Sequence, residues 1–597
     1  MEKIRNGHDR ARILGKLCFL AATPVMAFYI AQLIYGGYPW DYAPLTVAGN
    51  AVCIGAVYYI LSALTGRIAL CSVLVCLLAA IVGTANYYVD TFRGNPILPW
   101  DFKALETAMA VSGNYHYHFT WQILFVAALL FLAAGVFYRK KIYGRVRLWS
   151  AWFRLTLLAI GLCCMAPILH PEILDAMGIT SDVWDQGRSY KEKGVVGAFL
   201  SNLLFMDVDV PEGYSKEAWQ ELVDTGKKGE GGTGGAAAVS EEEARPHVIA
   251  IMNESWADFE SFGNLELNKS VMEYMNSLDA IRGSAYASVF GAGTSASEFE
   301  FLTGHSMAFL PSGSIPYQQY VLGSTESLAS ILKENGYTCL AHHPGERSSW
   351  NRDQAYPLLG FDAFKCADEM NVELTMEHGY VSDRSSFEQI IYELEHKEPG
   401  EKLFLFNVTI QNHGSYEDAD FVSDVYVEGA KGKYPLAEQY LTLVDKTDDA
   451  FRMLVEYLED FDEPVILLMF GDHQPALEED FLDLAYGVKQ EDMTMGQYLD
   501  KFKVPYIIWA NYDLGEDEGK DTSLNFLAQE LLKYAGIPAG DYGDYLNGFR
   551  ETVPVVSFAG YKDARGNAYS HLEDTVFTQD IHNYQIVQYG ILFDRQK

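Results

Sequence analysis

Five long apolar stretches within the first 170 residues place the strongest constraint on the fold. They run from Leu17 to Tyr35, Leu45 to Leu64, Ile68 to Tyr88, Trp121 to Tyr138 and Trp149 to Leu169. A helix needs about 20 mostly apolar residues to cross the hydrocarbon core of a bilayer. Soluble core helices would carry a polar face, which these stretches lack, and a cleaved signal peptide would supply one stretch rather than five. Residues 1–170 are therefore predicted to form a five-helix transmembrane domain.

Basic residues predict the orientation of this domain. One basic cluster lies before the first span, at residues 3–16, and another lies between the fourth and fifth spans, at residues 139–147. The positive-inside rule places both clusters in the cytoplasm. Because the number of spans is odd, everything after His170 is expected outside the cell, in a multi-pass plasma-membrane protein. Residues 1–170 carry a net charge of +8 and the remaining 427 carry −44, and such an acidic outer part argues against nucleic-acid binding.

Residues 171–245 are predicted to bridge the membrane domain and an outer domain. Within them, residues 226–243 are rich in Gly, Ala and charged side chains, which is typical of a flexible linker. The sequence leaves open whether an exported peptidase cuts this linker at Ala236–Ala238. Six of the eight cysteines lie in the spans, and the sequence does not decide whether the other two, Cys339 and Cys366, form a disulfide.

Beyond the linker, short β-rich runs alternate with helical patterns. This alternation predicts an α/β domain with a mostly parallel sheet over residues 246–537. The apolar runs at 247–252, 402–410 and 464–470 each lead directly into polar residues. After Pro538, short alternating runs at 552–558, 574–577 and 584–590 predict a small antiparallel sheet, and hence a β-rich subdomain over residues 538–597.

The polar residues at these strand ends are candidate metal ligands. They include Glu254, His413 and the adjacent pair Asp472 and His473. Open α/β sheets bind ligands beyond the C-terminal ends of their strands, so these residues are expected to converge. Carboxylates with imidazole form a usual ligand set for Zn or Mn. Taken singly, Glu254 could instead be a helix cap or a surface charge, and His413 a hydrogen-bonded loop residue.

Thr294 is the candidate nucleophile. It follows the turn Gly291-Ala292-Gly293 and precedes an apolar helical pattern. A hydroxyl there lies where unpaired helix amides and the helix dipole favour negative charge, so it could ionise and receive a phosphoryl group. Simple N-capping of the helix is the alternative interpretation. Beside the acids and the histidine, the threonine oxygen could also complete the ligand set of a metal.

Five motifs together resemble a known family. They are Asn253-Glu254-Ser255, Gly293-Thr294-Ser295, Trp350-Asn351-Arg352-Asp353, Asn412-His413-Gly414 and Gly471-Asp472-His473-Gln474-Pro475. This set resembles the lipoteichoic acid synthase type of the sulfatase/alkaline-phosphatase superfamily, whose members also carry five spans before an extracellular catalytic domain. The resemblance implies an enzyme outside a Gram-positive type of cell. Such an enzyme takes glycerol phosphate from phosphatidylglycerol and adds it to a polyglycerolphosphate chain on a glycolipid. Manganese is the implied cofactor, with Zn²⁺ or Mg²⁺ as alternatives.

The resemblance also implies a role for each matching residue. Thr294 would become glycerophosphorylated, and the metal ligands would be Glu254, Thr294, Asp472 and His473. The residues implied in substrate binding are His343, Trp350, Arg352 and His413. Among these, Arg352 could clamp phosphate oxygens through its planar fork, and His413 could pass a proton to or from the departing lipid hydroxyl.

Several alternative functions remain open from the sequence. Sulfatases convert a Cys or Ser within Cys/Ser-x-Pro-x-Arg into an aldehyde, so the sequence Thr294-Ser-Ala-Ser-Glu298 disfavours sulfate ester hydrolysis. Phosphoethanolamine transferases share the threonine and the five spans but resemble disulfide-rich enzymes. A phosphodiesterase that transfers to water and a non-catalytic surface sensor are further alternatives. Also open are the oligomeric state and the enzyme's task, which could be priming the glycolipid, extending the polymer or decorating another glycan.

Overall fold

The structure is a computed structural model that describes residues 2–93, 96–104, 118–139, 150–170, 172–179, 186–205, 208–226 and 245–594. Most of the predicted linker and most of the second basic cluster lie outside these residues. The chain divides into two compact units. The first comprises residues 1–102, 117–209 and 311–313, and the second comprises residues 103–116, 210–310 and 314–597. The domain boundaries inferred from the sequence stay predictions.

The described part of the first unit is helical. Its α-helices are α1 (Glu2–Tyr35), α2 (Pro44–Thr65), α3 (Ile68–Arg93), α4 (Trp121–Arg139), α5 (Ala151–Cys163), α6 (Ala166–Leu169), α7 (Glu172–Ala176), α8 (Gln186–Lys193) and α9 (Val195–Ser201). Five segments are long and apolar enough to cross a membrane: Gly15–Tyr35, Pro44–Thr65, Ile68–Phe92, Trp121–Arg139 and Ala151–Leu169. These segments match the five predicted spans to within a few residues, so the prediction of five apolar N-terminal helices is confirmed.

The second unit is built on an eight-stranded sheet. Its strands are β1 (His247–Asn253), β2 (Ile281–Tyr286), β3 (Tyr337–His342), β4 (Ala363–Lys365), β7 (Lys402–Val408), β8 (Val465–Gly471), β9 (Lys503–Ala510) and β10 (Thr522–Ser523), with the separate hairpin β5 (Met376–Glu377) and β6 (Tyr380–Val381). The strand order is β10-β2-β9-β8-β1-β7-β3-β4. Strand β9 runs antiparallel to its neighbours β8 and β2, and the other neighbouring pairs are parallel. The prediction of a mostly parallel sheet is confirmed.

Helices lie on both faces of this sheet. The α-helices of the second unit are, in chain order, α10 (Lys216–Gly226), α11 (Glu273–Ser277), α12 (Thr294–Thr303), α13 (Pro316–Gln319), α14 (Leu328–Glu334), α15 (Arg352–Leu358), α16 (Asp383–His396), α17 (Pro435–Glu459), α18 (Glu479–Tyr486), α19 (Met495–Asp500), α20 (Leu524–Ala535), α21 (Gly540–Arg550) and α22 (Thr578–Tyr589). Helices α16 and α17 share one apolar core with β1, β7 and β8. On the other face, Phe301 of α12 contacts Phe406 of β7 and Phe470 of β8. Burial on both faces explains why β1 and β8 are apolar along their length.

The C-terminal region carries a small antiparallel sheet, as predicted. Its strands are β11 (Val555–Ser557), β12 (Gly560–Lys562) and β13 (Ala568–Tyr569). The prediction of strands at 574–577 and 584–590 is wrong, because the first segment is not a strand and the second lies in α22 and at the start of the π-helix Gly590–Asp594 that follows it. The buried residues Tyr584, Val587 and Ile591 recur at helical spacing and pack into a common core with Phe549 of α21. Cys339 and Cys366 are buried free thiols, so they do not pair.

Helix α12 buries the carboxylate of Glu300. Glu300 Oε1 accepts hydrogen bonds from the Ser288 hydroxyl at 2.7 Å and the Met307 amide at 2.8 Å. Its Oε2 is buried and has no hydrogen-bond partner among the described residues. Burial raises the pKa of Glu300 from its ordinary value of 4.5 to about 8. The carboxyl group is therefore protonated at neutral pH in the folded protein.

We expect Glu300→Gln to stabilise the protein more at pH 8 than at pH 5. Between about 4.5 and 8 the folded state binds a proton that the unfolded state does not, so the stability of the natural chain falls as the pH rises through this window. Glutamine is neutral throughout and lacks this loss. Apparent melting temperatures of both full-length proteins at the two pH values measure the effect, and an equal difference at both values would contradict it.

Candidate active site

Four neighbouring parallel strands end at one edge of the sheet, as predicted. Asn253 at the end of β1 pairs with Gly471 at the end of β8, and Met252 pairs with Val408 at the end of β7. His342 at the end of β3 pairs with Asn407 of β7. The next residues along the chain are Glu254 after β1, Asp472 after β8, His343 after β3 and the loop to His413 after β7. The parallel register therefore brings these side chains to a single rim.

Thr294 begins helix α12 at this rim. The preceding glycines, Gly291 and Gly293, have φ angles of +73° and +109° in the left-handed region that favours glycine. Gly293 occupies the N-cap position and has no side chain to cap the helix. The Thr294 hydroxyl instead points to Glu254 and donates a hydrogen bond of 3.4 Å to its Oε2. The N-capping alternative is thus wrong, and the hydroxyl faces the carboxylates from the positive end of the helix dipole.

Glu254, Asp472 and His473 form a compact cluster of potential metal ligands. One ligand atom from each lies within 4.8 Å of the others. His473 Nε2 lies 3.3 Å from Asp472 Oδ2 and 3.7 Å from Glu254 Oε1. All three side chains are buried. The predicted ligands therefore meet within reach of the Thr294 hydroxyl.

Backbone contacts fix the orientation of this cluster. Asp472 Oδ1 accepts the Ser255 amide at 2.7 Å and the His473 amide at 2.8 Å, so Oδ2 is turned to the cluster. His473 Nδ1 lies 3.1 Å from the Gln474 carbonyl oxygen, which assigns the proton to Nδ1 and leaves a lone pair on Nε2. Ser255 adopts a left-handed φ of +52°, which is unfavourable for a residue other than glycine.

The electrostatics of the cluster are compatible with a divalent cation. Burial raises the pKa of Asp472 to about 7, and the Thr294 hydroxyl lies close enough to oppose this rise. Burial, and then the charge of Asp472, raises the pKa of Glu254, and burial lowers the pKa of His473. Asp472 Oδ2 and His473 Nε2 have no hydrogen-bond partner among the described residues. Two carboxylates and an imidazole lone pair that face one another in a buried place fit a divalent cation.

His343, Arg352 and His413 lie close together beside the cluster. The His343 ring is buried, and its Nδ1 lies 3.0 Å from the Val408 carbonyl oxygen. Its pKa is held well below the usual range, mainly by burial and then by the Arg352 charge, with a smaller contribution from His413. His343 is therefore neutral, with Nδ1–H donating to the carbonyl and Nε2 as an acceptor. His413 also acts on the pKa values of Glu254 and His473, so it is coupled electrostatically both to the ligand cluster and to His343.

Arg352 is expected from the sequence to clamp phosphate oxygens through its planar fork, but part of the guanidinium is bonded to a protein carboxylate. Its Nε and Nη2 both bond to Glu298 Oε1, at 2.9 and 2.5 Å. The Tyr356 hydroxyl donates to Glu298 Oε2 at 2.7 Å. One edge of the fork is thus taken by protein, while Nη1 is buried and has no partner among the described residues. The sequence reasoning missed Glu298, although its position four residues after Thr294 indicates the same face of the helix.

Trp350 lies in the 3₁₀ turn Ser349–Asn351 directly before helix α15. Trp350 and Asn351 have φ angles of +59° and +68°, a strained conformation that costs about 1–3 kcal/mol for each such residue. Asn351 Nδ2 holds the turn by donating to the Tyr317 carbonyl oxygen at 2.9 Å. The Trp350 side chain is half-buried, and its role in substrate binding stays a prediction.

A second feature missed by the sequence reasoning is the β5–β6 hairpin, which flanks the His413 loop. His378 Nε2 lies 2.6 Å from the Gln411 carbonyl oxygen, and the Tyr380 hydroxyl donates to the Gly414 carbonyl oxygen at 3.0 Å. The centroids of the Tyr380 and His413 rings are 5.1 Å apart. The hairpin therefore fixes the backbone on both sides of His413. The signal in the sequence was weak, because its two strands have only two residues each.

A family model matches the part of the chain that carries the site. Residues 246–537 match the Sulfatase family, so this part of the chain is a sulfatase-family domain. The predicted superfamily is confirmed.

Two curated proteins and one solved structure are similar to this chain. A Rhizobium meliloti (strain 1021) protein named "Putative cyclic beta-1,2-glucan modification protein" is 28% identical over 553 residues, which cover 89% of this chain and 84% of that protein. Lipoteichoic acid synthase 1 of Bacillus subtilis (strain 168) is 26% identical over 219 residues, which cover 36% of this chain and 33% of that protein. The structure of Streptococcus pyogenes phosphoglycerol transferase GacH in complex with sn-glycerol-1-phosphate aligns with a TM-score of 0.50 and 20% identity. The alignment covers 65% of this chain and 96% of that chain, and it supports the fold of the second unit.

Proposed function

We propose that this protein is a membrane-anchored phosphoglycerol transferase. It moves glycerol phosphate from phosphatidylglycerol, through a covalent intermediate on Thr294, to a glycolipid or a polyglycerolphosphate chain outside the cell. The observation that carries this proposal is the position of the Thr294 hydroxyl. Thr294 is the first residue of a buried helix, and its hydroxyl faces Glu254 beside Asp472 and His473. A nucleophile in that position is activated both by the helix N-terminus and by the ligand cluster.

A divalent cation belongs in the proposed mechanism. Glu254, Asp472 and His473 would hold it, with Mn²⁺ as the proposed ion and Zn²⁺ or Mg²⁺ as alternatives. When bound, such an ion lowers the pKa of a nearby hydroxyl and offsets negative charge on phosphoryl oxygens. It also satisfies the buried carboxylates of Glu254 and Asp472, whose pKa values burial raises.

The proposed reaction has two displacements at phosphorus. In the first, Thr294 Oγ1 gives its proton to Glu254 Oε2, to which it already donates a hydrogen bond, and bonds to the phosphorus of phosphatidylglycerol. The bond from phosphorus to the diacylglycerol oxygen breaks, and His413 gives that oxygen a proton. In the second, an acceptor hydroxyl gives its proton to His413 and bonds to phosphorus, while the bond to Thr294 breaks and Thr294 takes its proton back from Glu254. The electrostatic coupling of His413 to both Glu254 and His343 supports this use of one residue as acid and then as base.

Glycerol, rather than ethanolamine, suits the groups beside the cluster. Arg352 Nη1 is a buried donor without an acceptor among the described residues, and neutral His343 offers an acceptor nitrogen. A glycerol hydroxyl can accept a hydrogen bond from Arg352 Nη1 and donate one to His343. An ammonium group cannot accept a hydrogen bond, and its positive charge would lie near that of Arg352. This argument favours phosphatidylglycerol over phosphatidylethanolamine as the donor.

A glycan acceptor is a second candidate for the final step. It is favoured by the relative that matches along 89% of this chain, which is named for modification of a cyclic β-1,2-glucan. The donor reaction is the same for both acceptors, because the acceptor enters only after Thr294 carries the phosphoglycerol group. Names that include lipoteichoic acid synthase and phosphoglycerol transferase support the first step in either case.

A donor comparison tests the proposed function. The full-length protein in detergent, with Mn²⁺, should release fluorescent diacylglycerol from phosphatidylglycerol at least about tenfold faster than from phosphatidylethanolamine with the same acyl chains, since one unmatched buried polar group is worth about that factor or more. Faster release from phosphatidylethanolamine would replace phosphoglycerol transfer by phosphoethanolamine transfer.

Mass spectrometry of the products then identifies the acceptor. Parallel reactions contain water alone, a glycolipid or a soluble β-glucan. Glycerol phosphate attached to the glycolipid supports the first candidate, and attachment to the glucan supports the second. Free glycerol phosphate as the sole product in every reaction would make the protein a phosphodiesterase.

A further inference from the structure

Glu298 and Arg352 form an ion pair that is almost completely shielded from water. Their side chains are 0% and 1% exposed. Two guanidinium nitrogens, Nε and Nη2, approach the same carboxylate oxygen. A buried charge is retained at a reasonable free energy only when it is paired and hydrogen-bonded. The pair therefore fixes the direction of the guanidinium as well as balancing its charge.

Tyr356 restricts the pair further. Its hydroxyl donates to the other oxygen of Glu298, and its ring lies in a group of aromatic rings with Phe361 and Phe364. Both carboxylate oxygens are thus engaged, and the carboxylate cannot rotate without losing a bond. Nη1 of Arg352 is left as a buried donor that has no acceptor among the described residues. An unpaired buried donor of this kind indicates a position for a ligand oxygen.

The ion pair is also tied to the nucleophile. Glu298 follows Thr294 by four residues on helix α12, so the two side chains lie on one face of the helix, one turn apart. Arg352 in turn lies close enough to His343 to affect its pKa. The charge of Glu298 thus orients Arg352 relative to the same rigid helix that carries the threonine hydroxyl.

We infer that Glu298 is a positioning residue for the proposed transfer reaction. It holds Arg352 so that Nη1 alone is presented to an oxygen of the bound phosphoglycerol group, at a fixed distance from Thr294. This inference rests on the proposed function for the identity of the substrate. It predicts that Glu298 affects catalysis through Arg352 and by no other route.

A double-mutant cycle tests this inference. The four full-length proteins are the natural chain, Glu298→Gln, Arg352→Met and the double variant. Because a displacement of about 1 Å can cost about 100-fold in rate, we expect each single change to lower kcat/KM for phosphatidylglycerol by about 10- to 100-fold. If Glu298 acts through Arg352, the double variant should be no worse than Arg352→Met, to within about threefold. The two single variants should also divide the loss between KM and kcat in the same proportion.

The design separates a positioning role from a structural one. Glu298→Gln leaves a buried uncompensated cation that can unfold the protein, whereas the double variant removes both charges and keeps the Tyr356 acceptor. Melting temperatures of all four proteins are therefore recorded. Glu300→Gln is the matched control on the same helix, since its carboxylate bonds to Ser288 and Met307 rather than to Arg352. This control should keep kcat/KM within about threefold of the natural value.

Two results would overturn the inference. One is a double variant whose loss equals the product of the two single losses, which would make the two residues independent. The other is a Glu298→Gln protein as active as the natural chain. The cycle is repeated with bis(p-nitrophenyl) phosphate, a phosphodiester without glycerol. If the natural chain cleaves this compound but not phosphatidylglycerol, the proposed function fails while the coupling of Glu298 to Arg352 can still be measured.

Discussion

Thr294→Ala is expected to abolish diacylglycerol release, with a loss of at least about 1,000-fold in kcat. Thr294 is the first residue of α12, and its hydroxyl donates to Glu254 and lies near Asp472. Alanine has no side-chain oxygen that could bond to phosphorus. The change removes only two heavy atoms, the hydroxyl oxygen and one methyl carbon, so the fold should persist. Initial rates with fluorescent phosphatidylglycerol measure the loss.

Two variants control this prediction. Thr294→Ser keeps a hydroxyl in the same place and should retain part of the activity. Ser295→Ala removes the neighbouring hydroxyl and should keep kcat within about tenfold of the natural value, because surrounding side chains outside a reactive unit have much smaller effects. Activity in Thr294→Ala equal to that of the natural chain would disprove the nucleophile assignment.

Trapping the covalent intermediate tests the assignment of Thr294 as the nucleophile without a rate measurement. The protein is quenched after brief exposure to phosphatidylglycerol without acceptor, and the peptide that contains residues 291–304 is analysed by mass spectrometry. A glycerophosphoryl group on Thr294 supports the proposed mechanism. The same group on Ser295 or Ser297 would move the nucleophile along the helix. Ser297 is the less favoured position, because its hydroxyl already donates to the Asp472 carbonyl oxygen at 2.6 Å.

The acidic cluster could be predicted because a simple rule links sequence to its position. Apolar runs that lead directly into polar residues mark buried parallel strands, and the C-terminal ends of such strands share one edge. Glu254 after β1 and Asp472 after β8 follow that rule, and the register of the two strands confirms it. Thr294 could be predicted for a related reason, since paired glycines before an apolar helix indicate a tight turn into the helix N-terminus.

The contacts around Arg352 could not be predicted in this way. Glu298 and Arg352 are 54 residues apart, and no periodic pattern states that α15 packs on α12. The Tyr380 bond to the His413 loop likewise depends on how a hairpin of two-residue strands folds back. The sequence indicated which residue types were available, but the partners of each side chain depend on tertiary packing.

The region from Tyr584 to Gly590 shows a different limit. Alternation of apolar and polar residues over seven positions predicts a strand, yet Tyr584 and Val587 also lie three apart, which suits a helix. A run this short does not distinguish the two-residue period of a strand from the 3.6-residue period of a helix. Burial against Trp219 and Phe549 decides in favour of helix α22, and that choice depends on residues far away in the sequence.

Asp472→Asn is expected to weaken divalent-cation binding by more than about 100-fold, since loss of a ligand should exceed the 10- to 100-fold effect of losing a supporting contact. The substitution keeps the size of the side chain, and the amide oxygen can still accept the Ser255 and His473 amides. Its nitrogen replaces Oδ2, the buried oxygen that lies 3.3 Å from His473 Nε2, and an amide nitrogen there cannot coordinate a cation. Mn²⁺ titration and metal analysis of the dialysed full-length protein measure binding without reference to activity.

Asp448→Asn is the matched control for this change. Asp448 is also a buried aspartate that accepts two backbone amides, from Tyr274 and Met275. Its replacement by Asn costs one of these two contacts, because an amide nitrogen cannot accept a hydrogen bond. Asp448→Asn should lower the melting temperature yet leave the Mn²⁺ affinity unchanged. An equal loss of Mn²⁺ affinity in both variants would indicate an effect of general destabilisation and contradict the ligand assignment.

The effect of pH and metal on stability gives the sharpest form of this prediction. In the metal-free protein, the pKa of Asp472 is raised to about 7 from an ordinary value of 3.8, so the natural chain loses stability as the pH rises from about 4 to 7. Asparagine avoids that loss, and without metal Asp472→Asn should melt at a higher temperature than the natural chain at pH 8. Saturating Mn²⁺ should reverse the order, because a ligand at 100 times its Kd stabilises the folded state by about 2.7 kcal/mol.

Lowering the pH below 7 should weaken Mn²⁺ binding to the natural chain, because protons compete for the Asp472 carboxylate. If added Mn²⁺ stabilised both proteins equally, Asp472 would not be a ligand, and the cluster that supports the role of Thr294 would have to be assigned to other residues.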